Sequence, residues 1–207
     1  MNRFFERYSN LVVVVLIITG IGFSAKTIAS GPDRQAEQNF LVSQKNYTAV
    51  DVDLVTAAGE SVNFNQLVSS REVTVISFIF TSCAGICPMI TSNMVRAVPE
   101  LDKTGDDYQI LLVSVDPDFD TPERLSEYAQ RFNTGNTIDF LTGPREDVVE
   151  VLRSLDALYE GSNKMNHQPV TLIRNSDAGP WARIDGLIGS EVLLEQYQRF
   201  VGVDALE

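Results

Sequence analysis

Cysteine and histidine are nearly absent from this chain: 207 residues contain two cysteines, Cys83 and Cys87, and one histidine, His167. Two thiols cannot build the multi-bridge scaffold on which small secreted domains rely. Basic side chains are also scarce, 16 against 28 acidic ones. With no basic stripe to meet phosphates, nucleic acid is not expected as a partner. The acidic excess leaves room for a cationic partner, although a solvated surface that keeps the domain soluble is the simpler account. No internal repeat and no low-complexity segment is present, so repeat architectures are excluded. Hydrophobic content of 44% and charged content of 21% are those of a globular chain. The length suits one domain of about 150–170 residues and a leader.

A long hydrophobic span is missing too. Leu11 to Ala25 carries no charge, but its 15 residues fall short of the ~20 that cross a bilayer. The run extends to Ser30 if Lys26 snorkels to the interface. Arg3 and Arg7 precede it, and a basic start followed by an apolar run describes a signal peptide or an uncleaved signal anchor. Ala25 and Ser30 make poor cleavage patterns, so an anchor over residues 1–30 is favoured, with the remainder exported. Residues 31–44 are polar and read as a tether, leaving 45–207 as the folded domain.

The strongest local signal is Val73-Thr-Val-Ile-Ser-Phe-Ile-Phe80, followed by Thr81-Ser-Cys83-Ala-Gly-Ile-Cys87-Pro88. The first eight residues predict a buried strand, and it runs directly into both thiols. Pro88 suits a first helical turn, which predicts a helix from Pro88 to about Leu101. If the turn itself is helical, Cys83 and Cys87 lie at i and i+4 with Cβ atoms roughly 5–6 Å apart. That spacing serves a shared metal ion or a disulfide. A helix N-terminus favours thiolate over thiol, the form that binds metal and attacks disulfides. Space-filling thiols or a structural disulfide are the plain alternatives, and placement between strand and proline makes them the weaker ones. In an oxidising compartment a thiol pair closes to a disulfide unless metal or a reductant intervenes.

The remaining elements follow from periodicity and caps. Tyr47–Val55 and Ser61–Phe64 around Ala57-Ala-Gly-Glu60 predict a hairpin. Tyr108–Val115 is a second buried strand, broken by Asp116-Pro-Asp-Phe-Asp120. Thr121 and Pro122 have the marks of N-cap and first position of a helix through Leu125, Tyr128, Ala129 and Phe132. Asp139–Thr142 is a short strand, and Pro144 to about Tyr159 an amphipathic helix with Val148, Val151, Leu152, Leu155 and Leu158 inward. Val170–Ile173 and Trp181–Leu187 are strands around Asp177-Ala-Gly179, and Ser190 caps a last helix through Val192, Leu193, Leu194, Tyr197 and Phe200. Strands alternating with helices predict an α/β sheet with parallel neighbours, in a thioredoxin-like fold extended by an N-terminal β-hairpin.

His167 stands at the mouth of the strand Val170–Ile173. Sites in open sheets gather at strand ends, so it can approach Cys83 and Cys87. Two thiolates and an imidazole suit Cu(I), with Cu(II) accessible, and zinc can use the same three ligands plus water. Met89 and Met165 offer thioethers, although packing is their expected role.

Phe80-Thr-Ser-Cys83-Ala-Gly-Ile-Cys87-Pro88, Val113-Ser-Val-Asp-Pro117-Asp-Phe-Asp120-Thr-Pro122 and Asn166-His167, in that order, resemble the Sco/SenC family of copper-binding, thioredoxin-like proteins that assist cytochrome oxidase assembly. The resemblance covers about residues 45–205, with Asn166 where the family usually has aspartate. It implies that Cys83, Cys87 and His167 bind copper, and that an N-terminal anchor presents the domain on the outer face of a membrane, periplasmic if bacterial. It further implies that Asp116 to Asp120 shape a loop beside the site. Two roles are expected from it. One is a copper metallochaperone serving an oxidase subunit or another copper protein. The other is a thiol-disulfide oxidoreductase that keeps such a subunit's cysteines reduced, with Cys83 and Cys87 as the redox pair. The spacing fits a peroxiredoxin poorly, because Thr81 stands only two residues before Cys83.

Overall fold

The computed structural model describes residues 40–159, 161, 163–175 and 179–202. Within them the strands are β1 (Leu41–Lys45), β2 (Asp53–Thr56), β3 (Ser61–Asn63), β4 (Val73–Ile79), β5 (Tyr108–Ser114), β6 (Ile138–Thr142), β7 (Val170–Asn175) and β8 (Trp181–Asp185). The α-helices are α1 (Phe64–Val68), α2 (Ile86–Leu101), α3 (Pro122–Phe132), α4 (Arg145–Ser154) and α5 (Ser190–Val201). All eight strands join one sheet in the order β1-β8-β7-β4-β5-β6-β2-β3.

β4 lies near the middle of that sheet, and every one of its residues is buried. A strand with neighbours on both sides and both faces covered reads as a continuous apolar run, which is why Val73 to Ile79 shows no alternation. It pairs in parallel with β5 and antiparallel with β7, where Ser77 lies opposite Thr171. The Ser77 hydroxyl donates to the Val170 carbonyl at 2.7 Å. The C-terminal ends of β4 and β5 and the N-terminal end of β7 therefore share one edge of the fold. Cys83, Asp120 and His167 follow or precede those ends by a few residues.

The predicted mixed sheet is present, and the β2–β3 hairpin forms an antiparallel edge. Several boundaries differ. Leu41–Lys45, of which residues 41–44 were expected to end the tether, is an edge strand paired antiparallel with β8. Its partner is remote in sequence, so local polarity concealed it. Conversely, the predicted strand Tyr47–Val55 contracts to Asp53–Thr56, and Phe64 turns inward as the first residue of α1, which Asn63 caps by accepting from the Gln66 N–H. The predicted anchor over residues 1–30 lies outside the described residues, as does most of the tether. Among the described residues no helix is long and apolar enough to cross a membrane.

Helix α4 ends at Ser154, short of the predicted Tyr159. Asp156 takes a left-handed conformation (φ 51°), the Ala157 N–H reaches the Leu152 carbonyl at 2.8 Å and the Asp156 N–H reaches Arg153 at 3.3 Å. This is a Schellman termination. Arg183 reinforces it, donating to the Leu155 and Asp156 carbonyls. Val148, Val151, Leu152 and Leu155 point inward as predicted, but Leu158 is carried past the break and is exposed.

Candidate metal and redox site

After β4 the chain turns tightly, with the Cys83 N–H donating to the Phe80 carbonyl at 3.2 Å. Helix α2 then begins at Ile86, two residues before the predicted Pro88, with Gly85 as its N-cap. Cys87 is therefore in the first helical turn, whereas Cys83 precedes the helix. The two thiols meet across a turn-to-helix junction and not as i,i+4 neighbours on one helical face. Both are buried, Cys83 being 6% and Cys87 1% exposed, and no disulfide joins them.

The junction makes the pair unequal. Burial pushes the Cys83 thiol up, but the backbone of Cys87, the Cys87 thiol and the backbone groups of Gly85 and Ile86 hydrogen-bond to it and leave it below the ordinary thiol range. Those are the open N–H groups of a helix start, which favour an anion. Burial pushes the Cys87 thiol up to about 12, opposed by a backbone hydrogen bond from Phe80 and reinforced by Cys83 and Asp120. The N–H groups of the helix start thus prevail at Cys83, whereas at Cys87 burial outweighs them.

Asp120 holds this turn in place. It is fully buried, and it accepts from the Thr81 N–H at 3.0 Å, the Thr81 hydroxyl at 2.5 Å and the Ser114 hydroxyl at 2.6 Å. Its carboxylate is thereby committed to hydrogen bonds, in keeping with a loop-shaping role. Thr121 caps α3 through the Arg124 N–H with Pro122 at the first turn, as predicted.

His167 is 5% exposed and lies edge-on to Phe78 and Tyr159, with ring centroids 6.0 and 6.3 Å away. Its Nε2 has no hydrogen-bond partner, and burial lowers its pKa to about 4, leaving a neutral imidazole. A buried nitrogen lone pair or N–H without a partner costs free energy, and it is the kind of donor a soft metal recruits. The loop that carries it, a short 3₁₀ turn over Lys164–Asn166, is tied to the thiol turn by Lys164. The Lys164 ammonium donates to the Ser82 hydroxyl at 3.1 Å, pairs with Asp116, and sits over the rings of Phe80 and Phe119. Nothing local in the sequence marks Lys164; its partners are distant in the chain. The Gln168–Pro169 peptide is trans.

Among the described residues no three His, Cys, Asp or Glu side chains stand close enough to hold a metal ion as they are placed. The fold brings the two thiols together and puts His167 beside Phe78 at the same sheet edge, one loop away. Met89 and Met165, expected to pack, are instead 51% and 64% exposed.

Comparison with known proteins bears on the fold and the family. The chain is 32% identical over 129 residues to the SCO1 protein homolog of Bacillus subtilis, a match spanning 59% of this chain and 66% of that one. BsSco, described as a member of the Sco family of cytochrome c oxidase assembly proteins with a disulfide switch, superposes with a TM-score of 0.64 at 24% identity, covering 80% of this chain and 98% of that one. Arabidopsis thaliana ScoI with copper bound superposes with a TM-score of 0.60 at 21% identity, covering 72% and 94%. The SCO1/SenC family model matches residues 42–202, nearly the whole of the described fold, and the chain belongs to that family.

Proposed function

We propose that this protein is a copper metallochaperone for the assembly of an oxidase copper site, with Cys83, Cys87 and His167 as the ligands of its cargo. The observation that carries this reading is the orphaned Nε2 of buried His167 on a loop pinned to the turn that holds two free thiols. Membership in the SCO1/SenC family and the copper-bound Arabidopsis relative support copper as the cargo. Two thiolates with one imidazole suit Cu(I) and admit Cu(II). Hydrogen bonds from the helix start lower the Cys83 thiol's pKa, so in this reading it gives up its proton to copper more readily than Cys87. Cys87 must then give up its proton, so loading releases protons to solvent. Ligation by all three side chains requires His167 to swing out of the Phe78–Tyr159 pocket, which exchanges a buried, unpartnered nitrogen for a coordinate bond. Delivery runs the same exchange in reverse, one ligand at a time, to a copper-accepting oxidase subunit. In this reading residues 1–30 anchor the domain on the outer face of a membrane.

A second reading is favoured by the inequality of the two thiols. A low Cys83 and a high Cys87 are the attacking and resolving members of a thiol-disulfide oxidoreductase, and BsSco carries a disulfide switch. Such a protein would reduce the client's copper-site cysteines instead of, or before, loading them.

One titration separates the readings. The reduced full chain in neutral detergent is titrated with copper beside His167→Ala. A tight complex of one copper per chain with a thiolate-to-copper charge-transfer band, weakened in the variant, supports the chaperone. A reduced protein that ignores copper but reduces disulfides through Cys83 and Cys87 overturns it in favour of the oxidoreductase. Unchanged copper affinity in His167→Ala removes His167 from the ligand set.

A further inference from the structure

Beside the thiol turn lies an open groove of about 640 Å³ between that turn and helix α3, with Ser82, Phe119, Arg124, Glu127 and Arg131 on its walls. Ser82, the residue before Cys83, lines this groove, so its inner end lies one residue from the thiol turn. Arg124 and Arg131 are seven residues apart on α3, two turns along one face, and both are exposed.

Most other cations among the described residues are paired with carboxylates, Arg96 and Arg153 excepted; Arg96 bonds to Asn93. Lys45, Arg71, Lys103, Arg145, Lys164, Arg183 and Arg199 each pair with a carboxylate. Arg124 and Arg131 pair with none among the described residues; they stack instead over the rings of Phe119 at 3.9 Å and Tyr128 at 5.0 Å. Stacking holds a guanidinium plane in place and leaves its N–H edge free for a bidentate carboxylate. In a protein of net charge −12, two preorganised and unclaimed guanidiniums against one acid, Glu127, make a local reversal of sign. Phe119, itself exposed, adds an apolar floor.

We infer that this groove docks an extended, acidic segment of a client polypeptide and delivers that segment's cysteines to Cys83. The inference rests on the reading above that the thiol site serves a protein client. Its chemistry is thiol-disulfide exchange, which can be read without copper. The Cys83 thiolate attacks one sulfur of a client disulfide, forming a mixed disulfide and expelling the other client sulfur as thiolate. Cys87, surrendering its proton to that thiolate, then attacks the Cys83 sulfur. This closes Cys83–Cys87 and releases the client with two reduced cysteines, two electrons having passed from protein to client.

The test uses the reduced full chain in neutral detergent and two synthetic peptides of equal length. Each contains one internal disulfide, flanked in one by aspartates and in the other by lysines. The aspartate peptide is expected to be reduced about tenfold faster at low salt, where charge steers encounter. The advantage should fade at high salt and reverse in Arg124→Glu/Arg131→Glu, whose copper titration should match wild type. The net charge alone predicts the opposite preference, so faster reduction of the lysine peptide, or equal rates, overturns the inference. So does a preference that survives the double substitution. If neither peptide is reduced, the same preference must appear in equilibrium binding of the labelled peptides, and its absence there overturns the inference too. Failure of wild type to bind copper, with the charge preference intact, would count against the copper reading alone.

Discussion

Thr81 and Asp120, 39 residues apart, are joined twice: the Thr81 N–H reaches the carboxylate at 3.0 Å and its hydroxyl at 2.5 Å. The buried Asp120 also accepts from Ser114 at 2.6 Å, so the turn that carries both thiols is suspended from the end of β5. The two family-type motifs, one around the cysteines and one from Val113 to Pro122, are therefore a single structural unit.

Replacing Asp120 by Ala strands three donors at once, the buried Ser114 hydroxyl and the part-buried N–H and hydroxyl of Thr81. Each charge-assisted hydrogen bond is worth about 1.5–3 kcal/mol, and part of that is recovered by removing the buried carboxylate. We expect a net loss of about 3 kcal/mol in urea unfolding, with Asp120→Asn intermediate. A loss under about 0.5 kcal/mol would show that the turn does not depend on this carboxylate.

The thiols should be chemically distinguishable. With iodoacetamide near neutral pH, Cys83 is expected to be alkylated well before Cys87, because helix-start N–H groups stabilise its thiolate while burial keeps Cys87 protonated. Peptide mapping after partial reaction checks this. Cys87→Ser should retain rapid labelling and Cys83→Ser should nearly abolish it; equal labelling of both sites contradicts the assigned asymmetry.

His167 makes stability depend on pH in a defined window. Its folded pKa, about 4, lies below the ordinary 6.5, so between those values the unfolded chain binds a proton that the folded chain refuses. Stability is full above pH 6.5, falls as pH drops toward 4, and is flat below that as far as this group is concerned. The integrated effect is at most about 3 kcal/mol. His167→Phe, which keeps the aromatic packing against Phe78 and Tyr159, should flatten this segment of the metal-free stability profile; identical slopes for variant and wild type would contradict it.

Lys164 should act on the His167 loop more than on global stability. Its ammonium is partly exposed, so the ion pair itself contributes under about 1 kcal/mol. Lys164→Met keeps the stem and removes the charge that bridges Ser82 and Asp116. We expect little change in the unfolding midpoint but clearly faster amide exchange at His167, whose N–H donates to the Lys164 carbonyl at 3.1 Å. Unchanged exchange would mean that packing around Phe78 holds the loop without the lysine.

Much of this site was legible in the chain itself. Val73 to Ile79 reads as a buried strand because its neighbours cover both faces, and Thr121-Pro122 reads as a helix start because capping is settled by adjacent residues. Leu158 misled because helical periodicity continues past Ser154 in the sequence, while a left-handed Asp156 and the remote Arg183 end the helix. Leu41–Lys45 was missed because a polar edge strand is defined by its partner β8.

The sequence by itself determined which residues are able to do chemistry here: two thiols between a buried strand and a helix-starting proline, one histidine before another strand, and the Asp116–Asp120 segment. Those signals are local, since strand burial, capping and turn formation are written in contiguous residues. Only the tertiary structure decided how the residues differ from one another. Cys83 lies below and Cys87 above the ordinary thiol range because one faces open N–H groups and the other is enclosed. Lys164 couples two loops, because electrostatics and desolvation depend on which distant surfaces the sheet order brings together.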